Sequence, residues 1–150
     1  MLHLEGDKEF AQPREAVWAK LTDLTFLVQC IPDVTEVKEV TADTATVVQQ
    51  VGFAFVRGSI ELTIAKVEAT PPAAARFRFT GKGIGTSSTV ETAFRLEAKD
   101  GGSALHWSAD VVQLGGLLKA VPQGLLHGAA QKIIGDLLKR IEEKLGASTA

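Results

Sequence analysis

The chain has 150 residues, 45% of them hydrophobic, with 16 basic against 18 acidic side chains and a net charge of -2. That length fits one domain, residues 1–150, able to bury roughly 70% of the surface its unfolded form exposes, and the charge balance leaves no broad electrostatic footprint for nucleic acid or an anionic membrane. The single cysteine, Cys30, cannot close an internal disulfide. The N-terminus lacks the basic and apolar regions of a secretory signal, so the expected location is cytoplasmic.

Leu2 to Gln12 alternate loosely and end at Pro13, which predicts a first strand. A short helix follows, with Pro13 at its first position and Val17, Trp18 and Leu21 on one face. Asp23 is suited to cap a second short helix carrying Phe26, Leu27 and Cys30, which Pro32 stops. From Val34 to Val112 the period changes to two, with turn clusters at Thr41–Asp43, Thr70–Pro72, Gly81–Ser88 and Lys99–Ser103. Alternation assigns one face to Val47, Gln49, Val51, Ile60, Leu62, Ile64, Phe77, Phe79, Val90, Thr92, Phe94, Leu96, Leu105, Trp107, Ala109 and Val111. Glu61, Arg76, Arg78, Glu91, Arg95, Glu97, His106 and Asp110 take the other face. One dry side and one wet side define a one-layer antiparallel sheet.

After Gly115, Gly116 and Pro122, the segment Gln123–Leu145 places Leu126, Ala130, Ile133, Leu137 and Ile141 at helical intervals, with Gly146 positioned as a C-terminal cap. The fold class expected is α+β: a curved antiparallel sheet of about seven strands around a long C-terminal helix, with two short helices after the first strand. Glycines 52, 58, 81, 83 and 85 permit bends in the sheet, and Gly128, Ala129 and Ala130 make the facing helix thin, so space is expected between the two layers. The residues expected to line a ligand cavity are Gln49, Val51, Ile60, Leu62, Phe77, Phe79, Thr92, Phe94, Trp107, Leu126, Ala130 and Ile133. The same apolar residues also suit an ordinary packed core; Gln49 is the exception, since a buried amide costs roughly 1–3 kcal/mol unless something pairs with it.

The run Gly6–Asp23 with Phe10, Pro13, Glu15, Val17, Trp18 and Leu21, followed by Cys30-Ile31-Pro32, Val51-Gly52, Arg57-Gly58, Pro71-Pro72, Gly81-Lys82-Gly83 and the helix from Gly124 to Leu145, carries a resemblance. It is similar to the carbon monoxide dehydrogenase G-subunit family of the START/Bet v 1-like (SRPBCC, helix-grip) superfamily. The resemblance implies non-catalytic binding or transport of a lipid, quinone or similar hydrophobe between sheet and helix. The alternative it implies is an accessory protein for assembly or membrane recruitment of a molybdenum hydroxylase of the carbon monoxide dehydrogenase type, with a redox enzyme complex as partner. The family usually has glycine after the Cys-Ile-Pro triplet, where this chain has Asp33, and its membrane-associated members carry a C-terminal extension that is missing beyond Leu145, so no stable membrane anchor is expected.

Catalytic and metal patterns are weak. Gly81-Lys82-Gly83-Ile84-Gly85 resembles a phosphate loop in composition, but a strand rather than a helix follows it, so a hairpin bend is expected. His3, His106 and His127 lack the spacing of a zinc set, and His106 and Asp110 stand roughly 13 Å apart on one strand face. Cys30, expected near the pocket mouth, has no base supplied by its neighbours, and His127 lies beside the helical stripe. Neither an enzyme activity nor a cofactor is expected.

Overall fold

The period-two segments form one antiparallel sheet of seven strands with the spatial order β1-β7-β6-β5-β4-β3-β2. The computed structural model describes the backbone of residues 2–53 and 55–149 and their side chains as far as Gly146. In chain order the elements are β1 (Leu2–Phe10), α1 (Arg14–Leu21), α2 (Leu24–Cys30), β2 (Val34–Val40), β3 (Thr44–Phe53), β4 (Val56–Thr70), β5 (Ala74–Gly83), β6 (Thr86–Lys99), β7 (Gly102–Gly116), a 3-10 turn (Leu117–Ala120) and α3 (Gln123–Thr149). β1 and β2 are the two edges, so α1 and α2 carry the chain from one side of the sheet to the other.

Local chemistry explains most boundaries. Pro13 precedes α1 as its N-cap rather than occupying its first turn, and Asp23 Oδ1 accepts a 3.0 Å bond from the Thr25 N–H to start α2. The β5–β6 connection is a tight turn with Ile84 at φ +48° and Gly85 at φ +72°, both positive as a primed hairpin turn requires, so the glycine-rich run bends a strand. Register shifts at Lys66/Glu68 and Thr89/Val90 add local twist. Asp33, where the family usually has glycine, sits at φ +61°, the left-handed region that glycine enters freely and aspartate tolerates. α3 continues to Thr149, so Gly146 lies within the helix and does not cap it.

The alternation sets the two faces as expected. Val47, Ile64, Phe77, Leu96 and Leu105 from the sheet pack with Val17, Leu21, Leu24 and Leu27 from α1–α2 and with Ile141 and Leu145 from α3. The outer face carries exposed cross-strand pairs, among them Arg78–Glu91 at 3.1 Å and Lys38–Glu61 at 2.9 Å. Such exposed pairs contribute roughly 0–1 kcal/mol each, so stability rests on the inner face. Removing most of a fully buried side chain there forfeits its transfer free energy and leaves a void. Leu96→Ala is therefore expected to lower unfolding stability by about 2–5 kcal/mol in urea titration; a loss under about 1 kcal/mol would place Leu96 outside the core.

His106 and Asp110, on the same strand face, each take a separate partner from β1: His106 Nδ1 lies 3.0 Å from Asp7, and Asp110 lies 2.6 Å from His3 Nδ1. His3 Nε2 also meets Glu5 at 2.8 Å. Hydrogen bonds to Glu5 and then to Asp110 raise the imidazole above its ordinary value of 6.5. The resulting stabilisation of the β1 edge is fully present below about pH 6.5 and is lost as pH rises through the raised value. His3→Gln is accordingly expected to reduce thermal stability at pH 6 and to leave it unchanged at pH 9. An equal effect at both pH values would show that protonation of His3 is not involved.

Candidate ligand cavity

The two halves of α3 meet different surroundings. Its C-terminal half is fixed in the main core by Ile141 and Leu145, and Glu142 reaches Lys8 of β1 at 3.2 Å. Its N-terminal half leans towards one side of the sheet, where Leu126, Ala130 and Ile134 pack with Leu2 and Leu4 of β1 and Val111 of β7. Facing β3, β4 and β5 it leaves a cavity of about 250 Å³. The floor is Gln49, Val51, Ile60, Leu62, Phe79 and Thr92, and the roof includes Leu126, Ala129, Ala130, Ile133 and Leu137. Gly81 keeps this floor open: a Cβ there would stand 3.1 Å from Ser88 Oγ and 3.3 Å from the Ile60 side chain. Ile133 lines the cavity and is still 39% exposed, so the space opens to solvent beside that turn of the helix.

No ionisable side chain lines this cavity. Its polar groups have already directed hydrogens to the protein. Gln49, 5% exposed, donates from Nε2 to the Pro32 carbonyl at 2.9 Å; its Oε1 has no protein partner among the described residues. Thr92 donates to the Phe77 carbonyl at 3.3 Å and Thr86 to the Gly83 carbonyl at 2.7 Å. Oxygen lone pairs are what remain, so the site is equipped to accept a hydrogen bond from whatever enters.

Of the residues expected to line a cavity, Gln49, Val51, Ile60, Leu62, Phe79, Thr92, Leu126, Ala130 and Ile133 come together around this one. Phe77, Phe94 and Trp107 do not. Phe77 stacks on Phe94 at 6.1 Å and Trp18 of α1 meets Phe94 edge-on at 5.8 Å, so these rings fill the core end of the inner face. Trp107 lies against Gly6, its opposite in register, where a Cβ would come within 2.8 Å of the indole. It borders a second depression with His3, Glu5, His127 and Gln131. The side-chain period assigns a residue to a face but not to one end of that face, which accounts for these three departures.

Lining residues outside the expected set include Leu2, Leu4, Pro32, Phe53, Val56 and Leu118. For Leu2 and Leu4 their alternation is the usable signal; Phe53 and Val56 flank a hairpin tip that contains no residue typical of turns. Gly128 is exposed, and a Cβ on it would meet nothing within 4 Å, so the thinness of the helix towards the sheet comes from Ala129 and Ala130 alone.

Cys30 is buried in the main core with Val17, Leu21 and Ile141 and does not lie at the cavity mouth. Burial pushes its thiol above the ordinary value, which disfavours the nucleophilic thiolate. Among the described residues no three or more His, Cys, Asp or Glu side chains are grouped to hold a metal ion, and no helix is long and apolar enough to cross a membrane. Cys30 is expected to resist a thiol-reactive reagent in the native state and to react in full once the chain is unfolded; rapid native labelling would contradict its placement in the core.

A sheet gripping a helix over an apolar space recurs in known proteins. The profile of the carbon monoxide dehydrogenase G-subunit (CoxG) family matches residues 6–146. No curated protein sequence matches. A conserved protein from Geobacillus kaustophilus superposes with a TM-score of 0.88 at 26% identity, covering 98% of this chain and 97% of that one. A START superfamily protein from Mycobacterium smegmatis superposes at 0.72 with 13% identity, covering 97% of each chain. Ara h 8.0201 superposes at 0.68 with 17% identity, covering 97% of this chain and 98% of that one. The fold is of the START/Bet v 1-like helix-grip class.

Proposed function

Because this chain belongs to the carbon monoxide dehydrogenase G-subunit (CoxG) family and its open cavity is lined without an ionisable group, we propose that it binds and carries an apolar small molecule of the lipid or quinone kind without transforming it. The observation that carries this reading is the cavity itself: about 250 Å³ of space with apolar walls and a mouth beside Ile133. That volume lies just below the range of roughly 300–1,000 Å³ usual for small-molecule sites, so a ring or a chain segment is held while any longer tail leaves through the opening. Acid–base catalysis needs a titratable group within reach of the substrate, and the walls offer none.

Energetics suit a carrier. Burying about 300 Å² of apolar ligand surface at roughly 25 cal/mol per Å² contributes about 7.5 kcal/mol before the cost of association. What remains corresponds to a micromolar or weaker dissociation constant, which lets cargo leave as well as enter. Gln49 Oε1 gives the only amide acceptor in the lining and selects a ligand bearing a hydroxyl or N–H donor.

A second reading rests on the family description, which connects the chain to a carbon monoxide dehydrogenase. In it the protein is an accessory factor that docks on a redox enzyme, and such an enzyme would equally be the recipient of a carried molecule. Displacement of a fluorescent fatty acid tests the carrier. The wild type is expected to bind it with a micromolar constant, and Leu62→Trp, which puts an indole into the void, is expected to weaken binding at least about tenfold. Unchanged affinity in Leu62→Trp contradicts the assignment of the cavity. Capture of an enzyme of the carbon monoxide dehydrogenase type that is equally stable with Leu62→Trp favours the accessory role.

A further inference from the structure

The net charge of the chain conceals an uneven distribution. The stretches 50–60, 80–90 and 112–131 contain Arg57, Lys82 and Lys119 but no aspartate or glutamate. Taking these three from the 16 basic residues leaves 13 against 18 acidic ones in the rest of the chain.

The fold brings the three stretches to one end of the molecule. Val56 of β4 packs with Leu118 of the 3-10 turn and Val121, joined by Ile84 of the β5–β6 turn and Leu126 of α3. The Leu117 N–H donates to the Gly85 carbonyl at 2.9 Å, and a Cβ on Gly58 would lie 2.9 Å from Ile84. Arg57, Lys82 and Lys119 are all exposed there. Glu61, the carboxylate opposite Lys82 in register, is held by Lys38 at 2.9 Å.

The same end carries large apolar side chains turned to solvent: Phe55 at the β3–β4 tip is 54% exposed, Leu117 44% and Leu125 55%. Their neighbours in sequence, Val56, Leu118 and Leu126, line the cavity, so these three form part of its rim. Isolated exposed apolar residues are ordinary, but three on separate tips around one opening, accompanied by cations and no carboxylate, form a patch with a defined chemistry.

We propose that this rim is a docking face for an anionic lipid bilayer, with Phe55, Leu117 and Leu125 entering the headgroup region and Arg57, Lys82 and Lys119 pairing with lipid phosphates. A bilayer conforms to uneven tips, whereas a specific protein partner needs about 800 Å² of complementary surface. Cations near an anionic surface contribute about 1 kcal/mol each, enough for reversible contact without an anchor. The proposal rests on the carrier reading, because an apolar cargo partitions into lipid and this face sets the opening against it.

Sedimentation of the ligand-free full chain with sucrose-loaded vesicles tests it. The wild type is expected to sediment with vesicles of equal parts phosphatidylglycerol and phosphatidylcholine at ~0.05 M salt, and to be largely released at ~0.5 M salt. Replacing Arg57, Lys82 and Lys119 by glutamine should weaken binding about fivefold per residue. The triple change Phe55→Ser, Leu117→Ser, Leu125→Ser should weaken it at least about tenfold. These side chains are exposed, so folding should persist; Leu125→Ser alone, checked by circular dichroism, should still show a measurable loss. Leu62→Trp should retain full vesicle binding, which separates failure of this proposal from failure of the cavity assignment. Absence of wild-type binding at low salt, or undiminished binding by both triple variants, overturns the proposal. So does a dimer in sedimentation velocity that the serine variant dissolves, since a second copy of the chain would then cover the face.

Discussion

The asymmetric fixing of α3 is the constraint on which the rest of the molecule depends. Ile141 and Leu145 are locked among α1, α2 and the sheet, and Lys8 holds Glu142. A helix is stiff over its length, so once one end is fixed and the other leans on β1 and β7, its distance from β3–β5 is no longer free to close. Ala129 and Ala130 are too short to bridge that distance. Filling the gap would require moving the helix out of a well-packed core, and leaving the space empty of protein atoms costs less. The void is thus a consequence of how the rest is packed, and an apolar guest gains the contacts that protein side chains do not supply.

The inner face accordingly divides into two regions with different chemistry. At one end Trp18, Phe77 and Phe94 fill space with interlocking rings. At the other, aliphatic residues and Gly81 surround an opening, with Gln49 at the boundary tied to Pro32 just past α2. The amide therefore has a structural bond that orients it and an oxygen left over for recognition. The membership of the chain in the carbon monoxide dehydrogenase G-subunit family and the START/Bet v 1-like fold agree with a protein organised around that opening.

Much of this architecture is legible from residues alone, because a one-layer sheet writes its burial into the chain with a period of two. Val47, Ile64, Leu96 and Ala109 fall on the dry face, and Asp23 and Pro32 mark the ends of α2. Position along a face is not legible in the same way. Phe77 and Phe79 are two residues apart and share a side, yet one is core and the other lines the cavity, a distinction set by where α1 and α3 lie above the sheet. The β3–β4 tip is hidden because Phe53 to Val56 contains no glycine, proline or asparagine, and Cys30 sits in the core instead of at the mouth because helical spacing alone does not say which neighbour covers a face. Net charge misleads in a similar way, since a near-balanced total averages over a cationic pole and an acidic remainder.

Methyl-resolved NMR during titration with a fatty acid probes the central claim most directly, since it reports on both regions of the inner face in one experiment. The account predicts shifts at Val51, Leu62, Leu126 and Ala130 that saturate together, with Leu96, Leu105 and Leu145 unmoved. Shifts confined to the outer surface, or spread evenly through the core methyls, would contradict a preformed dry space between helix and sheet.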